Sequence, residues 1–320
     1  MMDWTDRHCR YFHRQITKEA LLYTEMVTAE AIVHGDQERL LSFDRQEHPL
    51  TLQLGGSDPE TLHRAVTIAK AYNYDAYDLN LGCPSDRVQN ARFGACLMQE
   101  PDLVAACLTA MQEAAKGQVT VKCRIGVDDM DDDAEFSAFI DRVKSTGVTT
   151  IAVHARKAWL QGLSPKENRE VPALNYQRVY EVKQANPNLT LFINGGIETI
   201  KAAQDHLTKV DGVMIGRKAY QTPYILHEVD PTFYGCQAPT NSRQDIAEAM
   251  IPYIEKHVNK GGRLHQITRH MLGLYHGVPG ARTYRRILST EAMRSDAGVE
   301  TFQAALKAIE SEALVSESHD

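Results

Sequence analysis

Cys83, in the stretch NLGCPSDRV, follows an apolar run, precedes a proline and has Asn80 three residues before it. A thiol at the end of a strand can act as acid, base or nucleophile. The plainer role of a free cysteine is a small buried hydrophobe, and that role is assigned to Cys9, Cys96, Cys107, Cys123 and Cys236. The cysteines form no CxxC and match no paired histidine spacing, so neither zinc nor a disulfide framework is expected and no metal site is assigned. Lys122 ends a second apolar run, VTVKCRIG. A buried lysine is costly without a partner, so it faces either an anion or a structural carboxylate. In a flavin site it would stabilise negative charge at N1/O2 of the reduced ring.

His154, in VHAR on the next run, either hydrogen-bonds a cofactor or satisfies core groups. Asn194-Gly195-Gly196-Ile197 and Gly216-Arg217 close the last two runs. Glycines there let backbone N–H groups approach a phosphate; two tight turns are the bland alternative. The paired sites and the charge of Arg217 favour phosphate.

These residues need elements to hold them. Seven short apolar runs recur: LLYTEMV (21–27), LTLQLGG (50–56), YDLNLGC (77–83), VTVKCRIG (119–126), TTIAVHAR (149–156), LTLFING (189–195) and GVMIGR (212–217). They read as parallel strands covered on both faces. Helical spacing lies between them: in 58–73, Leu62, Ala65, Val66, Ala69 and Tyr72 share one face, with Asp58 as N-cap and Pro59 at the first helical position. Alternation of this kind predicts an α/β fold. No G-x-G-x-x-G follows the first run, which weakens a doubly wound dinucleotide fold. Gln53, Asn80, Cys83, Lys122, His154, Asn194 and Arg217 stand at strand ends, where a (β/α)8 TIM barrel places its active site. Seven strands leave such a barrel one short. MMDWTD reads as a strand-to-helix loop entering a helix over 6–20, so the missing first strand is expected upstream of Met1.

QAPTNS (237–242) is linker-like. A barrel domain over 1–237 and a smaller all-α domain over 238–320, ending in a flexible tail, are therefore expected. The second domain has helices at 243–259, 263–276, 281–293 and 299–313, with Leu264, Ile267, Met271 and Leu274 on one face. The acidic run Asp128–Asp133 reads as a solvated loop leading into a helix. Across 263–294, Arg263, Arg269, Arg282, Arg285, Arg286 and Arg294 stand against a single acid, Glu291. Arg282, Arg285 and Arg286 share a helical face, which is either simply solvated or, with Tyr284, His270 and His276 interleaved, suited to a phosphate backbone.

The chain has 320 residues, 43% hydrophobic and 24% charged. Those values exclude disordered, collagen-like and coiled-coil classes. Thirty-five basic and 42 acidic side chains give a net charge of −7, which argues against a general polyanion binder while leaving room for a local basic patch. No apolar run approaches the roughly 18 residues of a membrane span and the start has no signal-peptide pattern, so a soluble, cytoplasmic protein without membrane contact is expected.

LNLGCPSDRVQNARFGACLM, VKCRIGVDD, IAVHARKAWLQGLSPKENRE, NGGI and MIGR, in this order, together with MMDWTDRHCRYFHR, resemble the A-type branch of the tRNA-dihydrouridine synthases. The resemblance runs from residue 1 to about 295 and implies an FMN-dependent barrel with a C-terminal helical domain. It implies reduction of the C5–C6 bond of uridine at positions 20 and 20a of tRNA. NADPH would reduce FMN, flavin N5 would pass hydride to C6, and Cys83 would protonate C5 from the opposite face. Carried over by position, Met1, Met2, Gln53, Lys122, His154, Asn194, Gly195, Gly196, Gly216 and Arg217 would hold FMN. Asn80 would face the uridine, and Lys166, Arg169, Arg282 and Arg285 would grip the D-loop and elbow region of tRNA, with the protein a monomer. Members of the family carry an Ala-Pro and a strand before the Met-Met, so the barrel is expected to be open on that side. Two other functions compete: a flavin barrel reducing a free small molecule such as a pyrimidine, and a non-catalytic RNA chaperone using the basic domain.

Overall fold

The computed structural model describes residues 1–115, 118–130 and 133–317, the side chains of residue 87 and of 312–317 excepted. Asp131 and Asp132 of the acidic run and residues 318–320 of the expected tail lie outside the described residues. All seven expected strands form: β1 (Leu22–Thr28), β2 (Leu50–Gly55), β3 (Ala76–Leu81), β4 (Gln118–Arg124), β5 (Thr150–His154), β6 (Thr190–Asn194) and β7 (Gly212–Met214). They make one sheet in the order β1-β2-β3-β4-β5-β6-β7, each pair parallel. β1 and β7 are its two edges, so among the described residues the sheet is an open seven-stranded part of a barrel, as expected from the count.

The strands are apolar where helices cover them. Leu50, Leu52, Leu54, Leu79, Leu81, Ile151 and Val153 are buried, as are Leu62, Ala65, Val66 and Ala69 of the covering helix Pro59–Ala69. Each fully buried leucine or valine contributes about 1.5–3 kcal/mol relative to exposure. That helix starts as read: Asp58 Oδ2 accepts the Thr61 N–H at 2.7 Å, with Pro59 in the first turn.

The chain forms two compact units, one of Met1–Met2 and Leu21–Gly216, the other of Asp3–Ala20 and Arg217 onward. This differs from a division at residue 237. The helix Arg7–Ile16 and the segment after Gly216 belong to the helical unit because aromatic and polar contacts bind them there. Trp4 stacks on Tyr220 at 4.4 Å, Tyr11 on Tyr253 at 3.9 Å, and Asp6 pairs with His270 at 3.0 Å and Arg269 at 2.6 Å. Composition registers the linker-like QAPTNS but not contacts made between distant parts of the chain.

Within the helical unit the stretch 243–259 is two helices, Arg243–Glu248 and Ile251–Asn259, with Pro252 in the first turn of the second. Proline lacks the N–H that a continuous helix needs. The stretch 263–276 is helical only over Leu264–Thr268, yet Leu264, Ile267, Met271 and Leu274 are all buried. Ala281–Thr290 and Val299–Glu317 complete the unit.

Candidate active site

Strand register sets the polar residues in rows. Gln53, Asp78 and Thr120 stand opposite one another on β2, β3 and β4. Asn80 and Lys122 pair two residues further along, and Arg124, His154, Asn194 and Met214 form the next row across β4 to β7. Side chains alternate faces along a strand, so Asp78 and Asn80 share one face of β3, while Thr120, Lys122 and Arg124 share one of β4. Gln53 Nε2 donates to Asp78 Oδ2 at 2.9 Å, Thr120 Oγ1 donates to Asp78 Oδ1 at 2.8 Å, and Asn80 Nδ2 donates to Gln53 Oε1 at 2.8 Å. Burial pushes the Asp78 carboxyl up to about 6, against the opposing pull of these two donors and of Lys122.

Asn80 carries the row into the loop after β3. Its Oδ1 accepts the backbone N–H groups of Gly82 at 3.1 Å and Cys83 at 3.0 Å, an Asx-type turn. Ala95 N–H donates to the Cys83 carbonyl at 2.9 Å. Gly94 (φ +79°) closes the loop from behind, where a Cβ would lie 2.6 Å from the Cys83 oxygen. Cys83 is half-buried, with Sγ 3.5 Å from Ser85 Oγ. Cys9, Cys107 and Cys123 are buried and burial raises their thiols, as the small-hydrophobe role requires. Cys96 is half-buried and Cys236 exposed, so Cys236 departs from that role: it follows the short helix Val229–Phe233 on an exposed turn.

Positive charge gathers beside the thiol. Burial lowers Lys122, with Arg124 adding to the effect and the nearby Asp78 carboxylate opposing it. Burial brings Arg124 down to about 10. Its Nε donates to the Gly82 carbonyl at 2.9 Å, and its Nη1 donates to the Lys157 carbonyl at 3.0 Å and to that of Asn168 at 2.9 Å. Arg124 thereby ties the Cys83 loop to the loop after β5, and Gln89 adds a second tie, donating to the carbonyls of Pro84 and Leu160. His154 is buried, and desolvation followed by Arg124, Lys122, Arg156 and Arg169 holds it neutral.

Gly195 (φ +113°) packs on that imidazole, and a Cβ there would meet His154 Cδ2 at 2.7 Å. Its carbonyl accepts the Tyr176 hydroxyl at 2.6 Å, Gly196 follows at φ +67°, and Asn194 Nδ2 donates to the Met214 carbonyl at 2.7 Å. Gly216 follows β7, with Met1 Sδ 3.9 Å from the position its Cβ would take, and Met1 and Met2 are both exposed. Arg217 opens the short helix Arg217–Gln221 and belongs to the helical unit. Lys166 and Arg169 are exposed on the loop after β5, and Arg282 and Arg285 are exposed on the helix Ala281–Thr290.

Gln53, Asn80 and Lys122 thus share adjacent strands, as do His154 and Asn194, with Gly195 directly after β6. Sequence reasoning passed over Asp78 and Arg124, although each had a signal. Asp78 is a carboxylate inside the apolar run YDLNLG, and Arg124 lies two residues past Lys122 and so on its face of the strand. Asp128, read as part of a solvated loop, instead accepts the Leu160 N–H at 2.8 Å and helps shape the loop after β5.

The fold is shared with the old yellow enzyme homologue from Zymomonas mobilis, at a TM-score of 0.52 and 11% identity over 77% of this chain and 88% of that one. With charge, amides and an accessible thiol at the carboxyl ends of its strands, the class is a barrel-type enzyme. The family is more specific: the dihydrouridine synthase (Dus) model matches residues 1–310, and the chain belongs to this family of flavin-dependent oxidoreductases. Its relatives include the tRNA-dihydrouridine(20/20a) synthases of Shewanella oneidensis, 53% identical over 98% of this chain and 93% of that one, and of Vibrio parahaemolyticus, 54% identical over 98% and 96%. That of Yersinia pestis is 52% identical over 100% of this chain and 91% of its own.

The residues present fit a flavin. Gly195 and Gly196, both at positive φ, leave no room for a Cβ against His154, Leu174 and Tyr176, and glycine turns of this kind let a phosphate approach the backbone closely. Lys122 would supply positive charge for an electron-rich ring, and Gln53 an amide for its polar edge.

Proposed function

We propose that the protein reduces the C5–C6 bond of uridine at positions 20 and 20a in the D-loop of tRNA to 5,6-dihydrouridine. In this reading it uses FMN and NADPH and works as a monomer in the cytoplasm. The observation that carries the reading is Cys83: a half-buried thiol in a side-chain-anchored loop, beside the charges of Lys122 and Arg124.

FMN, when bound, supplies the hydride that adds to C6. Cys83 Sγ–H holds the proton for C5, and a thiol suits that task because its ordinary pKa is near enough to neutral to hold and release a proton. The thiolate left behind is stabilised by Lys122 and Arg124 and regains its proton from water. Met1, Met2, Gln53, Lys122 and His154 would hold the ring and ribityl side, and Asn194, Gly195, Gly196, Gly216 and Arg217 the phosphate. Asn80 would orient the uracil. A base inside folded RNA must first be extruded, at a cost of a few kcal/mol. Phosphate contacts by Lys166 and Arg169 on the loop after β5, and by Arg282 and Arg285 on the helical unit, would offset that cost. No helix among the described residues is long and apolar enough to cross a membrane.

The test is incubation of the purified, flavin-loaded protein with NADPH and an unmodified tRNA transcript, followed by mapping of dihydrouridine. Product at 20 and 20a is expected. No dihydrouridine anywhere in the transcript sinks the reading.

A further inference from the structure

We propose that Asp78 is a positioning residue: it sets the donor–acceptor direction of a hydrogen-bonded chain, Asp78–Gln53–Asn80, that ends on the backbone of the loop carrying Cys83. The proposal rests on the reading of Cys83 as proton donor.

An amide side chain has two ends of nearly equal shape and opposite polarity, so its partners decide which way it points. Ionised Asp78 can only accept, and Thr120 Oγ1 and Gln53 Nε2 occupy its two oxygens. Gln53, having turned its nitrogen to Asp78, presents Oε1 to Asn80, and Asn80 must answer with Nδ2. Only then does Asn80 Oδ1 face the loop, where it accepts from Gly82 and Cys83. Gln53, Asp78, Asn80 and Thr120 are all buried. Reversing a single link would set donor against donor where little water can intervene, which is costly.

Counting valences gives a second consequence. Both lone pairs of Asn80 Oδ1 are used, and one hydrogen of Nδ2 goes to Gln53. What Asn80 retains for a bound base is one N–H donor, which suits a carbonyl oxygen of a pyrimidine and opposes an exocyclic amino group. Asp78 itself lies one row below the Asn80–Lys122 pair and acts through Gln53. An asparagine at 78 would preserve the direction: its oxygen can accept from Gln53 while its nitrogen donates to Thr120, whose hydroxyl both gives and takes. A leucine would not.

Amide hydrogen exchange at Gly82 and Cys83, measured on the full chain, reads the end of the chain directly. Asp78→Leu is expected to speed exchange of these two amides by about tenfold, the scale of one hydrogen bond, with the β5 ladder unchanged. Asp78→Asn is expected to stay within about twofold of wild type. In the same samples, single-turnover dihydrouridine formation falls by about tenfold for Asp78→Leu and is retained by Asp78→Asn, which also leaves flavin reduction by NADPH unaffected. If Asp78→Leu does not fold, Asp78→Ser, which shortens the side chain beyond reach of Gln53, decides on the same readout. Unchanged exchange at Gly82 and Cys83 overturns the proposal. So does faster exchange across the whole sheet, which would make Asp78 a packing residue, and so does an Asp78→Asn variant as loose as Asp78→Leu. A wild-type protein that forms no dihydrouridine would remove the reading of Cys83, whereas the exchange data would still decide the direction of the chain.

Discussion

The backbone N–H of Cys83 donates across 3.0 Å to the side chain of Asn80, a residue still within β3. The thiol's position is therefore set by a strand through three residues of turn, and not by a mobile loop tip. The same Asn80 oxygen takes the Gly82 N–H, and the Cys83 carbonyl is held from the other side by Ala95. Both ends of the peptide around Cys83 are fixed before any ligand arrives, the preorganisation that positioned proton transfer requires.

Replacing Cys83 by alanine is expected to leave flavin binding and its reduction by NADPH intact. Dihydrouridine formation should slow by about 10²- to 10⁴-fold, the usual contribution of a positioned general acid. Stopped-flow absorbance separates the two half-reactions. Loss of flavin from the variant would instead make Cys83 a structural residue.

Gly195→Ala tests the cradle. At φ +113° a Cβ is strained, and it would collide with His154 at 2.7 Å. A loss of about 1–3 kcal/mol is expected, seen as a Tm lower by several degrees, together with a colourless preparation. A yellow protein with an unchanged melt would contradict the assignment.

Asp78 makes stability depend on pH. Its folded carboxyl lies near 6, above the ordinary carboxylate value of 3.8, because burial disfavours the charge. Between these values the native state binds a proton that the unfolded state has lost, so stability falls as pH rises from about 4 to 6 and stays lower above. Chemical denaturation across that range should show the slope, and Asp78→Asn should remove its part and gain about 1–3 kcal/mol at pH 7. A variant with the wild-type slope would show that Asp78 does not titrate there.

On the helical unit, Arg286 is paired with Glu291 at 2.8 Å, while Arg282 and Arg285 are exposed on the same helix. The double change Arg282→Ala and Arg285→Ala should weaken tRNA binding and lower the slope of log affinity against log salt by about 0.7–0.9 per lost phosphate contact. NADPH oxidation by the flavin should not change. An unaltered slope in a filter-binding titration would remove these arginines from the interface.

Much of this protein is legible from residue order alone. The seven strands, the helix behind Asp58-Pro59 and the polar residues at strand ends follow from local periodicity and turn chemistry, which act over a few neighbours in the chain. Cys83 could be separated from the other cysteines because a strand end and a proline flank it. The chemistry of Lys122, His154 and the two glycine sites could be named, though not the rows in which they stand.

Tertiary structure decided what depends on partners distant in sequence. Asp78 looks like a misplaced charge in YDLNLG until β2 and β4 supply Gln53 and Thr120 from 25 and 42 residues away. Arg124 could not be seen to bind carbonyls 33 and 44 residues downstream, and the helix Arg7–Ile16 could not be assigned to the helical unit without Tyr253, on which its Tyr11 stacks. Periodicity records which face of an element is apolar. Which buried polar group meets which is settled only when register brings donors and acceptors together, because an unpaired polar group in the interior costs more than any local preference supplies.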